Sequence, residues 1–212
     1  MVDKTIDHEL VKKRICLSYQ YDSADPANER LDCVHSLTVA LADRQLSIRD
    51  FLQNAADIIR DKFWVKEITI GLRDRADGLY RYEVMSGLDE GSWEAHRQLA
   101  YTLEQFEDSE LYKSAQISNL TRLFLAEDNP YGSDEERTFN RELMLQSSRR
   151  SLDETIEGDY IDVRILGRDG VLLGWIEISG TTDGKFPDVH TIKCLELLAS
   201  ILGVALTYSE MQ

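Results

Sequence analysis

The stretch YIDVRILGRDGVLLGWIEIS, Tyr160 to Ser179, decides the fold class. Two β-rich runs, Tyr160 to Leu166 and Val171 to Ser179, flank Gly167-Arg168-Asp169-Gly170, a turn signal. With Arg168-Asp169 as the loop, Leu166 is expected opposite Val171, Arg164 opposite Leu173, Asp162 opposite Trp175 and Tyr160 opposite Glu177. One face then carries Ile161, Val163, Ile165, Leu172, Ile176 and Ile178, a surface that belongs against core helices. The other carries Tyr160, Asp162, Arg164, Trp175 and Glu177, which is mixed, aromatic and charged.

Beyond Phe186-Pro187-Asp188 the period changes to that of a helix. Ile192, Leu195, Leu198, Ala199, Leu202, Ala205 and Leu206 form one stripe. Leu197, Ile201, Val204 and Tyr208 widen it beyond what one core contact needs. Working back toward the N-terminus, Ser133-Asp134-Glu135-Glu136 reads as a capping box opening a helix through Phe139, Leu143 and Leu145. Leu111 to Tyr131 holds at most a short strand at Ala115 to Ile117 and then loop. Trp93, His96, Leu99, Leu103 and Phe106 predict one helix. A hairpin, Val65 to Leu72 and Leu79 to Met85, turns at Asp77-Gly78. Ser47 is placed to cap a helix whose apolar face is Ile48, Phe51, Leu52, Ala55, Ile58 and Ile59.

Residues 29–46 predict an amphipathic helix, and residues 1–28 an extension with a short helix and a break at Asp22 to Pro26. The expected class is α+β: a central antiparallel sheet of about five to six strands. N- and C-terminal helices pack on one face, and loops and short helices cover the other.

Composition narrows the function. The 212 residues carry 24 Lys plus Arg and 39 Asp plus Glu, a formal net charge of −15. Such a surface repels phosphate backbones and anionic lipid, so neither nucleic acid nor membrane is expected as a partner. The longest uncharged apolar run, Leu197 to Ser209, is too short for a bilayer. Cys16, Cys33 and Cys194 are an odd number at wide spacing, which suits a reducing cytoplasm and not a disulfide framework. Cys33-Val34-His35 could not chelate one ion, because side chains at i and i+2 of a helix diverge, and no metal site is expected. Cys194, among Ile192, Leu195 and Leu198, reads as an inert packed thiol. No nucleophile elbow, metalloprotease motif, P-loop or dinucleotide fingerprint is present, so no enzyme is expected.

Two segments carry a family resemblance. QLSIRDFLQNAADIIRDKFWVKEITIGLRDRADGLYRYEVMSGL, Gln45 to Leu88, resembles the opening helix and first hairpin of the GAF sensory domain. Tyr160 to Thr207, with VLLGWIEIS and KFPDVHTIKCLELLASILGVAL, resembles its closing strands, turn and terminal helix. Residues 47–212 are thus the GAF-like unit, with 29–46 a dimerisation helix. The resemblance implies a small-molecule ligand held over the mixed sheet face, although it assigns no cofactor. It also implies a homodimer through the outer helices and output to a kinase, cyclase or transcription factor. Asp162, Arg164 and Trp175 would floor the pocket, with Trp93, His96, Tyr101 and Phe124 lining it from Trp93 to Tyr131. Leu31, Val34, Leu37, Leu41, Leu197, Ile201, Val204 and Tyr208 would form the dimer interface. The spread signature of the cyclic-nucleotide members is not matched, since Lys185 and Phe186 are adjacent and His190 and Thr191 replace the later acidic pair. Two alternatives follow: a thiol-dependent reductase resembling the family's free methionine sulfoxide reductases, or a ligand-free scaffold filled by Trp93, Phe106, Phe124 and Trp175.

Overall fold

The computed structural model describes residues 9, 12–17, 26–40, 47–129, 135 and 137–210. Residues 12–17 are helical. Two helices follow, α1 (Pro26–Ala40) and α2 (Ile48–Lys62), and then the hairpin β1 (Ile68–Arg73) and β2 (Tyr80–Ser86). Short helices α3 (Glu90–His96) and α4 (Leu103–Glu107) lead to β3 (Ala115–Gln116) and β4 (Thr121–Phe124). After α5 (Arg141–Gln146) come β5 (Tyr160–Leu166), β6 (Leu172–Ile178) and the long α6 (Val189–Glu210). The six strands form one antiparallel sheet in the order β2-β1-β6-β5-β4-β3. The expected α+β class holds.

Local chemistry sets the boundaries. Ser47 caps α2: its Oγ accepts the Asp50 N–H at 3.1 Å. Phe51, Leu52, Ala55, Ala56 and Ile59 give α2 one buried face. The helix stops at Phe63, and Trp64 turns the chain with φ 51°, its carbonyl accepting the Thr182 N–H at 2.7 Å. In the first hairpin the turn closes between Asp74 and Gly78, and Gly78 supplies the left-handed φ of 78° that a side chain would resist. Asp188 accepts the Thr191 N–H at 2.7 Å at the start of α6 and receives a hydrogen bond from Arg30 of α1 at 3.2 Å.

The main core lies between the sheet and the helices. Ile161, Val163, Ile165, Ile176 and Ile178 meet Leu195, Leu198, Ala199 and Leu202 of α6 and the apolar face of α2. By length and composition Val189–Tyr208 would also pass for a membrane span. Here one stripe of it is buried in the core, while Leu197, Val204 and Tyr208 remain exposed. Val34 and Leu37 of α1 are buried at 7% and 2% exposure, so they belong to the chain's own core and not to an outer dimer face. Leu31 is exposed, Ile201 is partly buried, and Leu41 lies outside the described residues.

Five local expectations are corrected. The β5–β6 register pairs Asp162 with Glu177 and Arg164 with Trp175, two residues from the expected one, because a 3₁₀ turn at Arg168–Gly170 replaces the two-residue loop. A bulge beside Leu166 then sends Leu173 to the helix side and Leu172 to the opposite face, reversing the expected place of Leu172. The helix expected across Trp93 to Phe106 is two, because Tyr101 pairs with Tyr80 between them and Thr102 opens α4 with a capping box. Finally, Thr121 to Phe124, expected as loop, is strand β4. The helix expected from Ser133 starts later, with Asn140 accepting the Leu143 N–H at 3.0 Å; Ser133, Asp134 and Glu136 lie outside the described residues.

Gly203 lets α6 lie against the sheet, since a Cβ there would sit 2.1 Å from the Leu166 carbonyl oxygen. Gly203→Ala, although it favours helix intrinsically, is expected to cost about 1–3 kcal/mol in urea unfolding through forced separation of α6 from β5. An unchanged or raised midpoint would contradict this packing.

Candidate functional site

The sheet face turned away from α2 and α6 is covered as well, and a cavity of about 740 Å³ lies on it. Its floor is β1, β2, β4, β5 and β6; α3, α4 and the segment from Glu135 to Tyr160 wall it. Trp175 is 1% exposed, with its ring laid across Gly71 of β1 so closely that any Cβ at Gly71 would fall 2.2 Å from it. Tyr82 meets the Trp175 ring edge-on at 5.0 Å, and Phe106 packs on it at 5.2 Å. A second apolar cluster of Tyr80, Leu172 and Trp175 results, and it supports the aromatic end of the cavity.

Buried charge on this face is paired in an unexpected way. Asp162 is 2% exposed and takes a bidentate grip from Arg122 of β4, Nε to Oδ1 at 3.1 Å and Nη2 to Oδ2 at 2.5 Å. The third guanidinium nitrogen donates to the Phe106 carbonyl at 3.2 Å, and the cation lies over the rings of Phe106 and Phe124. Phe124 in turn stacks on Tyr160 at 4.3 Å. Burial raises the Asp162 carboxyl above its ordinary range, and the Arg122 hydrogen bonds pull the other way. Arg164, expected to floor the pocket, instead donates to Glu107 at 2.7 Å and does not line the cavity.

Glu177 sits beside this pair. It receives the Tyr82 hydroxyl at 3.1 Å. Burial, with the Asp162 and Glu135 charges nearby, pushes its carboxyl up to about 7. Glu135 accepts the hydroxyls of Tyr101 at 3.1 Å and Tyr112 at 2.7 Å, and burial raises both phenols. His96 is buried against Tyr82, and burial lowers its pKa. Its Nδ1 lies 2.7 Å from the Ser92 carbonyl and so carries the proton, which leaves Nε2 as an acceptor.

The rim is braced separately. Asp159, 2% exposed, accepts the Ala126 and Ile156 N–H groups and two bonds from Arg149, which also pairs with Glu127 at 2.9 Å. Arg149 is thus a structural tie of the loops around the cavity mouth.

The structure brings Asp162, Trp175, His96, Tyr101 and Phe124 together around one cavity, and it leaves Arg164 and Trp93 outside the lining. Sequence reasoning missed Arg122, Tyr82, Tyr112, Glu135 and Thr69. The signal for Arg122 was the alternation in Thr121-Arg122-Leu123-Phe124, hidden by the turn-rich residues around it. Cys33 and Cys194 lie in α1 and α6, Cys16 is exposed, and none of the three lines the cavity. Burial pushes the Cys33 thiol up to about 12, which suppresses its thiolate. Among the described residues no group of three His, Cys, Asp or Glu is placed to hold a metal ion.

A six-stranded antiparallel sheet with helices on one face and a walled cavity on the other is the fold of GAF domains. Among solved structures, this chain is similar to free methionine-R-sulfoxide reductase from Neisseria meningitidis in complex with its substrate. The TM-score is 0.57 at 16% identity, over 89% of this chain and 94% of that one. It is also similar to the GAF domain of a phosphoenolpyruvate-protein phosphotransferase from Coxiella burnetii (TM-score 0.55, 14% identity, 87% and 96% covered). A GAF domain assigned to a sensor histidine kinase of Pseudomonas syringae pv. tomato matches at TM-score 0.54 and 12% identity, over 92% and 94% of the chains. No family model matches the sequence, and no curated protein does.

Glu177 gives a pH test. Its folded-state pKa stands above the ordinary carboxylate value, so folding favours the protonated form. The stability it confers is complete below about 4.5 and is lost as pH rises through about 7. Glu177→Gln mimics the protonated form. Its unfolding free energy is expected to match the parent's near pH 4.5 and to exceed it at pH 8 by up to ~3 kcal/mol. Parallel stability curves for the two proteins would refute the assignment.

Proposed function

We infer that this chain is a non-catalytic sensory or regulatory domain that binds a small molecule over its sheet. On this proposal it works in the cytoplasm as a homodimer and relays occupancy to an effector such as a kinase, cyclase or transcription factor. The observation that carries the reading is the cavity itself. It is walled on a covered sheet face, aromatic at one end, and lined by the polar groups of Glu177, Glu135, His96 and Asp162. Sites for small ligands have this make-up. Similarity to GAF domains of sensory and regulatory proteins supports the same class.

The alternative of a thiol-dependent reductase gains no support from the residues, since a thiol chemistry needs a thiol at the cavity and none lines it. The scaffold alternative needed a filled pocket, and the cavity argues against it.

The dimer proposal rests on the outer surface of the long helices. Leu197, Val204 and Tyr208 of α6 are 45%, 58% and 62% exposed, and Leu31 of α1 is 54% exposed. Apolar side chains held out on one helix surface suit an interface between two copies.

Native mass spectrometry of the purified chain, compared with its denatured mass, tests the ligand and the dimer together. A dimer carrying extra mass that denaturation releases is the expected result, and a bare monomer would overturn the dimer part of the proposal. Replacing Leu197 and Val204 together by Glu is expected to give a folded monomer by light scattering, because two buried charges per copy face each other without partners. Retention of the dimer would place the interface elsewhere.

A further inference from the structure

The nitrogen and phenol donors around Glu177 are already spent. Every nitrogen of the Arg122 guanidinium already donates, to Asp162 and to Phe106. The hydroxyls of Tyr82, Tyr101 and Tyr112 donate to Glu177 and Glu135. His96 has spent its proton on the Ser92 carbonyl. What these groups leave facing the space are acceptors: the Glu177 carboxylate and His96 Nε2.

Charge points the same way. Seven carboxylates and three cations line the cavity among the described residues. Each cation is matched: Arg122 to Asp162, Lys66 to Glu67 at 3.3 Å, and Arg150 to Glu154 at 3.3 Å. No described cation pairs with Glu177. An independent observation marks the same spot. Thr69, the cross-strand neighbour of Glu177, lines the cavity at 3% exposure with its hydroxyl unpartnered, and so does the Ser179 hydroxyl two residues along β6. A buried hydroxyl without a partner costs free energy unless something supplies one.

We propose that the cavity takes a small organic cation, an ammonium ion on an apolar or aromatic body. Its N–H groups meet Glu177 and Thr69, and its body lies against Tyr82, Tyr101 and Trp175. A carboxylate on the same body would meet the Glu177 carboxylate with like charge; an ammonium supplies it with donors. The nearby rings add to this, since aromatic faces attract cations most strongly where water is excluded. The inference rests on the cavity's being a ligand site, as proposed above, and specifies the class of ligand.

Three probes with one body separate the two questions: 2-phenylethylamine, 2-phenylethanol and phenylacetate. Each is titrated at pH 8 into the full chain labelled with ¹⁵N, following the Trp175 indole N–H resonance. The amine is expected to saturate at a concentration about tenfold or more below that of the alcohol, with phenylacetate weakest. In Glu177→Gln the amine should lose that advantage while the alcohol binds as before, which also shows that the variant is folded. Phenylacetate binding as tightly as the amine overturns the charge inference and leaves the small-molecule site standing. So does an amine advantage that survives Glu177→Gln. A resonance that none of the three moves overturns the site as well.

Discussion

Both faces of the β5–β6 hairpin are buried, and the two are buried by different physics. On one side the isoleucines at 161, 165, 176 and 178 meet α2 and α6, and apolar area removed from water is the driving term. On the other side the same alternation delivers Asp162, Trp175 and Glu177, which burial alone would make costly. The fold is acceptable only if that second face finds partners. Arg122 from β4 for Asp162, Tyr82 from β2 for Glu177 and the Phe106 ring from α4 for Trp175 are those partners. Each comes from a different element, so satisfying one sheet face fixes where three other segments must lie.

Close backbone approaches make the arrangement rigid. Trp175 can lie flat over β1 because Gly71 has no side chain, and β6 packs against β1 at Gly174, where a Cβ would sit 2.2 Å from the Gly71 carbonyl. The Arg122–Asp162 pair is nearly dry, and a pair of that kind contributes little net stability once desolvation is counted. Its value is directional: a bidentate guanidinium holds β4 in one register and presents a neutralised surface to the cavity. Glu177, with the neutral Tyr82 hydroxyl and no cation among the described residues, is the group left electrostatically unfinished.

How much of this the sequence shows depends on how local the signal is. Ser47, the apolar face of α2 and the stripe of α6 are legible because capping and helical period are properties of neighbouring residues. The two-faced hairpin is legible for the same reason, although its register is not. Whether Gly167 to Gly170 closes by two residues or by a 3₁₀ turn depends on Leu173 finding the helix side. The site divides in the same way. Asp162, Trp175, His96, Tyr101 and Phe124 could be picked by composition and place. Arg164 could not be told from Arg122, because both are arginines on or beside the same strand pair. Only the position of β4 decides which of them reaches Asp162, and β4 is four residues long amid turn residues.

That short strand is also held from both faces of the sheet. Arg122 faces the cavity, while its neighbour Thr121, fully buried, donates to Glu196 of α6 at 2.7 Å. Ser118, at the turn before β4, donates to the same carboxylate, and its hydroxyl oxygen caps the Leu120 and Thr121 N–H groups. Adjacent residues of a strand point to opposite sides, so Arg122 and Thr121 read the cavity and the helix through one peptide unit. α6 carries Leu197 next to Glu196 on its exposed side. One strand is thus held by an ion pair on its cavity face and by a threonine–glutamate hydrogen bond to the outer helix on the other.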